Sequence, residues 1–136
     1  MMTYLAVYCA GLFTLIVGDL LWLGFLMKAF YANKLGGLMA PSVTWWAAVA
    51  FYLAYTFAVW WFVVSPSTDK ALTSVALQGA LFGALSYAVY DLTNQATLRG
   101  WPVEVTLIDI SWGAFLTMLM AVVMRLVLTY MVVPRG

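Results

Sequence analysis

Between Thr44 and Val64 the chain runs for about 20 residues without one charged side chain, and that run constrains everything around it. As a helix, such a stretch matches the apolar thickness of a bilayer. In lipid, only a helix or a closed barrel can satisfy its own backbone hydrogen bonds. Trp45 and Trp46 open the run, and Trp60 and Trp61 close it. The two pairs stand roughly 22 Å apart at 1.5 Å per residue, which suits indoles seated at two interfaces.

Three further stretches have the same character, near residues 3–27, 71–98 and 103–133. The first contains a single charge, Asp19, and Arg125 lies late enough in the last to snorkel to the surface. Composition agrees. The chain is 66% hydrophobic and only 8% charged, with a mean hydropathy of +1.01, whereas soluble domains carry about a quarter charged residues. Too few charges remain to cover an aqueous surface. The expected fold is an all-α integral membrane four-helix bundle, up-down-up-down, in one domain over residues 1–136. The first stretch lacks a basic leader and a cleavage signal, so it reads as a span rather than a signal peptide.

The connections are short. LGGLMAPS (Leu35–Ser42) carries the Gly-Gly and Pro signals of a loop. In SPSTDK (Ser65–Lys70), Pro66 ends one helix and Ser67 or Thr68 is expected to cap the next. In RGWP (Arg99–Pro102), glycine suits a helix end and proline a helix start. Gly79 and Gly83 form a G-x-x-x-G, extended by Ala76, Ala80, Ala84 and Ala88. Small faces let membrane helices approach closely, either inside one bundle or across a homodimer.

Several function classes fall away. A net charge of +1 provides no basic stripe for nucleic acid. Cys9 is alone, so no internal disulfide forms. With no histidine, imidazole-bound metals, haem and a histidine base are excluded. Met118, Met120 and Met124 read as packing rather than soft-metal ligands. Neither a metal nor another cofactor is expected, and the partner that composition implies is the lipid bilayer.

Against this background AVYDLTNQATLRGWPVEVTLIDISWGAF (Ala88–Phe115) is conspicuously polar. Asp19 lies nine residues before Lys28, Asp91 nine before Gly100, and Asp109 seven after Pro102. Each is therefore roughly 10–14 Å below the surface that bears the first and third loops. Alternating topology brings that surface to all three, so three carboxyls from three helices share one depth. An acid inside a bilayer costs roughly 2.5–3.5 kcal/mol on insertion scales and usually faces a bundle interior. Three at one level repel when all are ionised, so at least one is expected to be protonated or paired.

The neighbours of the acids repeat. Asp19 and Trp22, like Asp109 and Trp112, are spaced D-x-x-W, which puts carboxylate and indole on one helix face. Tyr87, Asp91 and Asn94 share a face, and Tyr90 pairs with Asn94. These residues are the candidate ligand- or proton-binding set. Arg99, Gln95, Thr106 and Lys28 form a candidate rim, and Glu104 suits a helix-dipole role in the first turn of its segment.

YDLTNQATLRGWPVEVTLIDISWG, with DLLWLGF and FYANKLG, resembles the small bacterial family of predicted membrane proteins known as domain of unknown function 2177. The resemblance runs along essentially the whole chain. It implies a four-helix membrane protein, a bacterial inner-membrane location, and Asp19, Trp22, Tyr90, Asp91, Asn94, Trp101, Asp109 and Trp112 as motif positions. It implies no activity.

Three readings compete. The acids bind or exchange a small cationic or polar ligand against protons, with aromatic walls adding cation–π attraction. Or the chain is an enzyme or accessory subunit acting on lipid, although no nucleophile–base pair, metal motif or nucleotide loop is visible. Or the polar layer only fixes helix packing, inside the chain or against another membrane subunit. Lys28, Lys34 and Arg99 on the acid side balance Lys70, Arg125 and Arg135 on the other, so the positive-inside rule assigns no orientation.

Overall fold

The computed structural model describes residues 2–132. It is all-helical, with 85% of the described residues in helix and no strand among them. The helices are α1 (Met2–Leu21), α2 (Lys28–Leu35), α3 (Trp45–Val59), α4 (Leu72–Thr97) and α5 (Val103–Val132). A π-turn at Trp22–Leu26 prolongs α1, and another at Trp60–Val64 prolongs α3 before a 3₁₀ turn at Ser65–Ser67. Four continuous segments are long and apolar enough to cross a bilayer: Met2–Leu26, Trp45–Ser67, Leu72–Thr97 and Val103–Val132. Val133, the expected end of the last segment, and Arg135 lie outside the described residues.

The structure departs from the sequence-based expectation in two places. Between the first segment and the Leu35–Ser42 loop, residues that the sequence reading leaves unassigned form an additional helix. In the π-turn, the Met27 N–H donates to the Trp22 carbonyl at 2.8 Å, and Met27, at φ −115° and ψ 7°, breaks the helix. The next eight residues, KAFYANKL, hold no Gly or Pro and form α2, and the loop begins at Gly36, within one residue of its expected start. The second departure is at α4. Its N-cap is Ala71, which makes no side-chain cap, and Ser67 instead donates to Gln78 Oε1 at 3.1 Å. The α4–α5 turn agrees with its composition. Gly100 sits at φ +75°, a left-handed conformation that glycine adopts freely.

The tightest seam joins α4 to α5. Gly79 and Gly83 are buried, and a Cβ at Gly83 would come within 2.1 Å of the Gly113 carbonyl oxygen. One at Gly79 would meet Ala121 and the Thr117 carbonyl, and Tyr87 covers Gly113 in turn. The small face is thus occupied inside the chain. These contacts ascend α4 while descending α5, so the two helices are antiparallel. The same order holds between α1 and α5, where Gly11 meets Met124 and Gly18 meets Leu116. Leu15, Leu116, Met120 and Met124 centre the apolar core, which places two of the three clustered methionines in packing.

Candidate functional site

Asp19 ends the buried stripe of α1. It is 7% exposed, accepts from Trp112 Nε1 at 3.4 Å and lies beside the Tyr52 hydroxyl of α3. Asp109 on α5 accepts from the Tyr31 hydroxyl of α2, which itself accepts from Trp22 Nε1 at 3.2 Å. The two indoles stack, with centroids 4.3 Å apart and planes 2° from parallel. Each D-x-x-W pair therefore crosses over. Trp112 serves the acid of α1, while Trp22 reaches the acid of α5 through Tyr31.

Asp91 behaves differently. It is fully buried, no donor among the described residues reaches either of its oxygens, and the polar group beside it is the carboxyl of Asp109. Two adjacent carboxyls bond to each other only through a shared proton, because an ionised carboxylate donates nothing.

In front of Asp19 and Asp109 opens a cavity of about 540 Å³. Trp22, Trp112, Tyr31, Tyr52, Tyr55, Phe51, Tyr87 and Tyr90 wall it, together with Leu23, Ala48 and Ser86. No Lys or Arg is among its lining residues. Tyr31 lies outside the bilayer-length segments. Burial first, then the hydrogen bond to Asp109, push its phenol above the ordinary tyrosine value, so at neutral pH it is a donor.

The structure brings Asp19, Asp109, Trp22, Trp112, Tyr87 and Tyr90 to this cavity, with Asp91 behind it. The other candidates lie elsewhere. Among the described residues no side-chain hydrogen bond joins Asn94 to the acids. Gln95 Nε2 donates to the Trp101 carbonyl at 3.1 Å, and Thr106 receives the Trp101 indole N–H at 3.1 Å. Thr106 in turn donates to Gln95 Oε1 at 3.3 Å. These three lock the α4–α5 turn rather than rim the cavity. Lys28 and Arg99 are exposed, and Glu104 pairs with Lys34 at 2.8 Å.

Sequence reasoning does not single out Tyr31, Tyr52 and Tyr55, which also line the cavity. Two signals point to them. Tyr31 sits in the FYANKLG string, and Tyr52 and Tyr55 share a helix face by their spacing of three.

Four bilayer-length apolar helices around buried carboxyls define an integral, multi-pass membrane protein. Residues 4–126 match the family model described as predicted membrane protein (DUF2177), and the chain belongs to that family. No curated protein and no solved structure matches it.

Proposed function

We propose that the chain binds a small organic cation in the aromatic cavity, with Asp19 and Asp109 as counter-charges, and that protons compete for the same carboxyls. The observation that carries this reading is the pairing of two acids with aromatic walls and no cationic side chain in one cavity. Aromatic faces attract organic cations by about 2 kcal/mol or more when desolvated. One chain walls the cavity, so binding requires no second copy. Four segments crossing in alternation would put the acids at one depth in one leaflet. Helical spans rather than a barrel suit a bacterial inner membrane. Exchange of cation for proton across that membrane is the transport this reading allows.

The test is a titration of the purified protein in lipid nanodiscs with tetramethylammonium chloride, read by tryptophan fluorescence. The expected result is a saturable change, weakened about tenfold, or about 1.4 kcal/mol, in Asp109→Asn and at acidic pH. A response no different from that to sodium chloride, or one indifferent to both Asp19→Asn and Asp109→Asn, would overturn it. The competing reading is a purely structural polar layer, favoured by the bonds that Asp19 and Asp109 already make to Trp112 and Tyr31. Under it, the same substitutions change stability alone.

A further inference from the structure

The walls of the cavity are uneven. Leu23, Phe51 and Tyr90 line it and are nonetheless 49%, 43% and 59% exposed. They come from three separate elements: the π-turn after α1, the second turn of α3, and α4. Among the described residues, the hydrogen bonds and ring contacts that tie α3 to other elements occur at or after Tyr52, while Ala47 and Ala48 before it are half-buried. Tyr52 meets Asp19, Tyr8 donates to the Leu53 carbonyl at 2.9 Å, and Tyr55 bonds Thr117 at 2.7 Å. Further along, Trp60 packs edge-on against Tyr4. The turns before Tyr52 carry exposed Trp45, Trp46 and Val49. The mouth of the cavity is therefore a gap beside the first turns of α3, rimmed by apolar and aromatic side chains.

The acids lie roughly 10–14 Å below the membrane surface by helix rise, so a gap at their level faces acyl chains. The volume of about 540 Å³ falls within the roughly 300–1,000 Å³ of cavities that bury drug-sized ligands. A bare trimethylammonium group would leave most of it empty. Acidic groups without a lysine or arginine partner also reject a phosphate or carboxylate head, which would face like charge.

We infer that the occupant enters from the bilayer and is amphiphilic: a single-chain alkylammonium whose head sits between Asp19 and Asp109 and whose tail leaves past Leu23, Phe51 and Tyr90. This rests on the cation reading of the same cavity and adds to it the class of ligand and the direction of entry.

The probe is a dodecyltrimethylammonium with a diazirine at the end of its tail, photolysed with the protein in nanodiscs and mapped by mass spectrometry. The expected result is label concentrated on peptides bearing Leu23, Phe51 and Tyr90. Excess tetramethylammonium chloride should remove most of it, and equal sodium chloride should not. The competition uses the unaltered chain, so misfolding of an acid variant cannot confuse it. Dodecyl phosphate bearing the same diazirine should label those peptides no more than the rest of the lipid-facing surface. Label spread evenly over that surface, or untouched by tetramethylammonium that binds saturably in the fluorescence titration, overturns lateral entry while the cation reading stands. Equal labelling by the phosphate probe overturns the ligand class. Absence of both site label and tetramethylammonium binding overturns the two together.

Discussion

Asp91 is a fully buried carboxyl that no ordinary donor among the described residues reaches, set beside a second carboxyl. A buried polar group left unpaired costs about 1–3 kcal/mol. Asparagine at this position keeps the shape, removes one titratable acid and supplies a permanent donor for Asp109. Asp91→Asn is therefore expected to fold normally and to gain about 1 kcal/mol, measured by thermal unfolding in detergent, while cation binding at Asp19 and Asp109 persists with a weaker dependence on pH. A loss of stability with the pH profile of binding unchanged would count against the role given to the pair. Tyr31 is the complementary case. Tyr31→Phe strips Asp109 of its donor and Trp22 of its acceptor, at an expected cost of about 2 kcal/mol. A phenol whose pKa is higher folded than unfolded contributes in full below the unfolded value, about 10. It loses that contribution as pH climbs through the folded value. The stability gap between wild type and Tyr31→Phe should thus be flat from neutral pH to about 9 and shrink above about 10. A gap that shrinks already near neutrality would contradict the burial of this hydroxyl.

At the scale of elements, the α4–α5 seam carries the sharpest expectation. Gly83→Ala would drive a Cβ into backbone and into Thr117, neither of which is the free end of a flexible side chain. Overpacking of this kind typically costs about 1–3 kcal/mol, visible as a lower unfolding midpoint. Gly24→Ala meets nothing within 4 Å and serves as the control, expected to be neutral or slightly stabilising. Element positions were largely legible in the sequence, because run length, Gly-Gly, Pro66 and the Gly100–Trp101–Pro102 turn are local signals. Alpha-helical continuation through α2 was not. The break falls at Met27, after the π-turn and with neither glycine nor proline at that position, and the stretch before the Leu35–Ser42 loop is too short and too polar to read as a span. The proximity of Asp19, Asp91 and Asp109 followed from counting each from a nearby helix end. Rotation was much harder to read. A helix such as α3, apolar on every side, has no polar face to orient it, so Tyr52 and Tyr55 stood out no more than Phe51 or Phe57. Asn94 shows the reverse: its spacing from Asp91 suggested a shared face, and its side chain forms no bond with the acids among the described residues.

For the whole molecule, four crossings in alternation would put the loop before α3 and the α4–α5 turn on one membrane face and the α3–α4 loop on the other. In a Cys9→Ser background, Ser42→Cys and Arg99→Cys should react with a membrane-impermeant maleimide from the same side of sealed vesicles. Asp69→Cys should react only from the opposite side. Labelling of all three from one side would reject four crossings. Cys9 itself, exposed on α1 and within a bilayer-length segment, should resist that reagent from either side and yield to a lipid-soluble one.

The bare carboxyl of Asp91 also bears on how the chain is made. Its helix is the least apolar of the four spans, with mean hydropathy 1.4 against 2.1 for α5, and the acid adds roughly 2.5–3.5 kcal/mol to the cost of releasing α4 into lipid alone. The group that lies against it, Asp109, and the backbone that receives Gly83 both arrive with α5, after a turn of only a few residues. During synthesis, α4 should therefore linger at the insertion machinery until α5 emerges, and the two should partition into the membrane as a preassembled hairpin. Chains cut off after Thr97 would then remain within crosslinking reach of the translocon, while chains extended through α5 would be released.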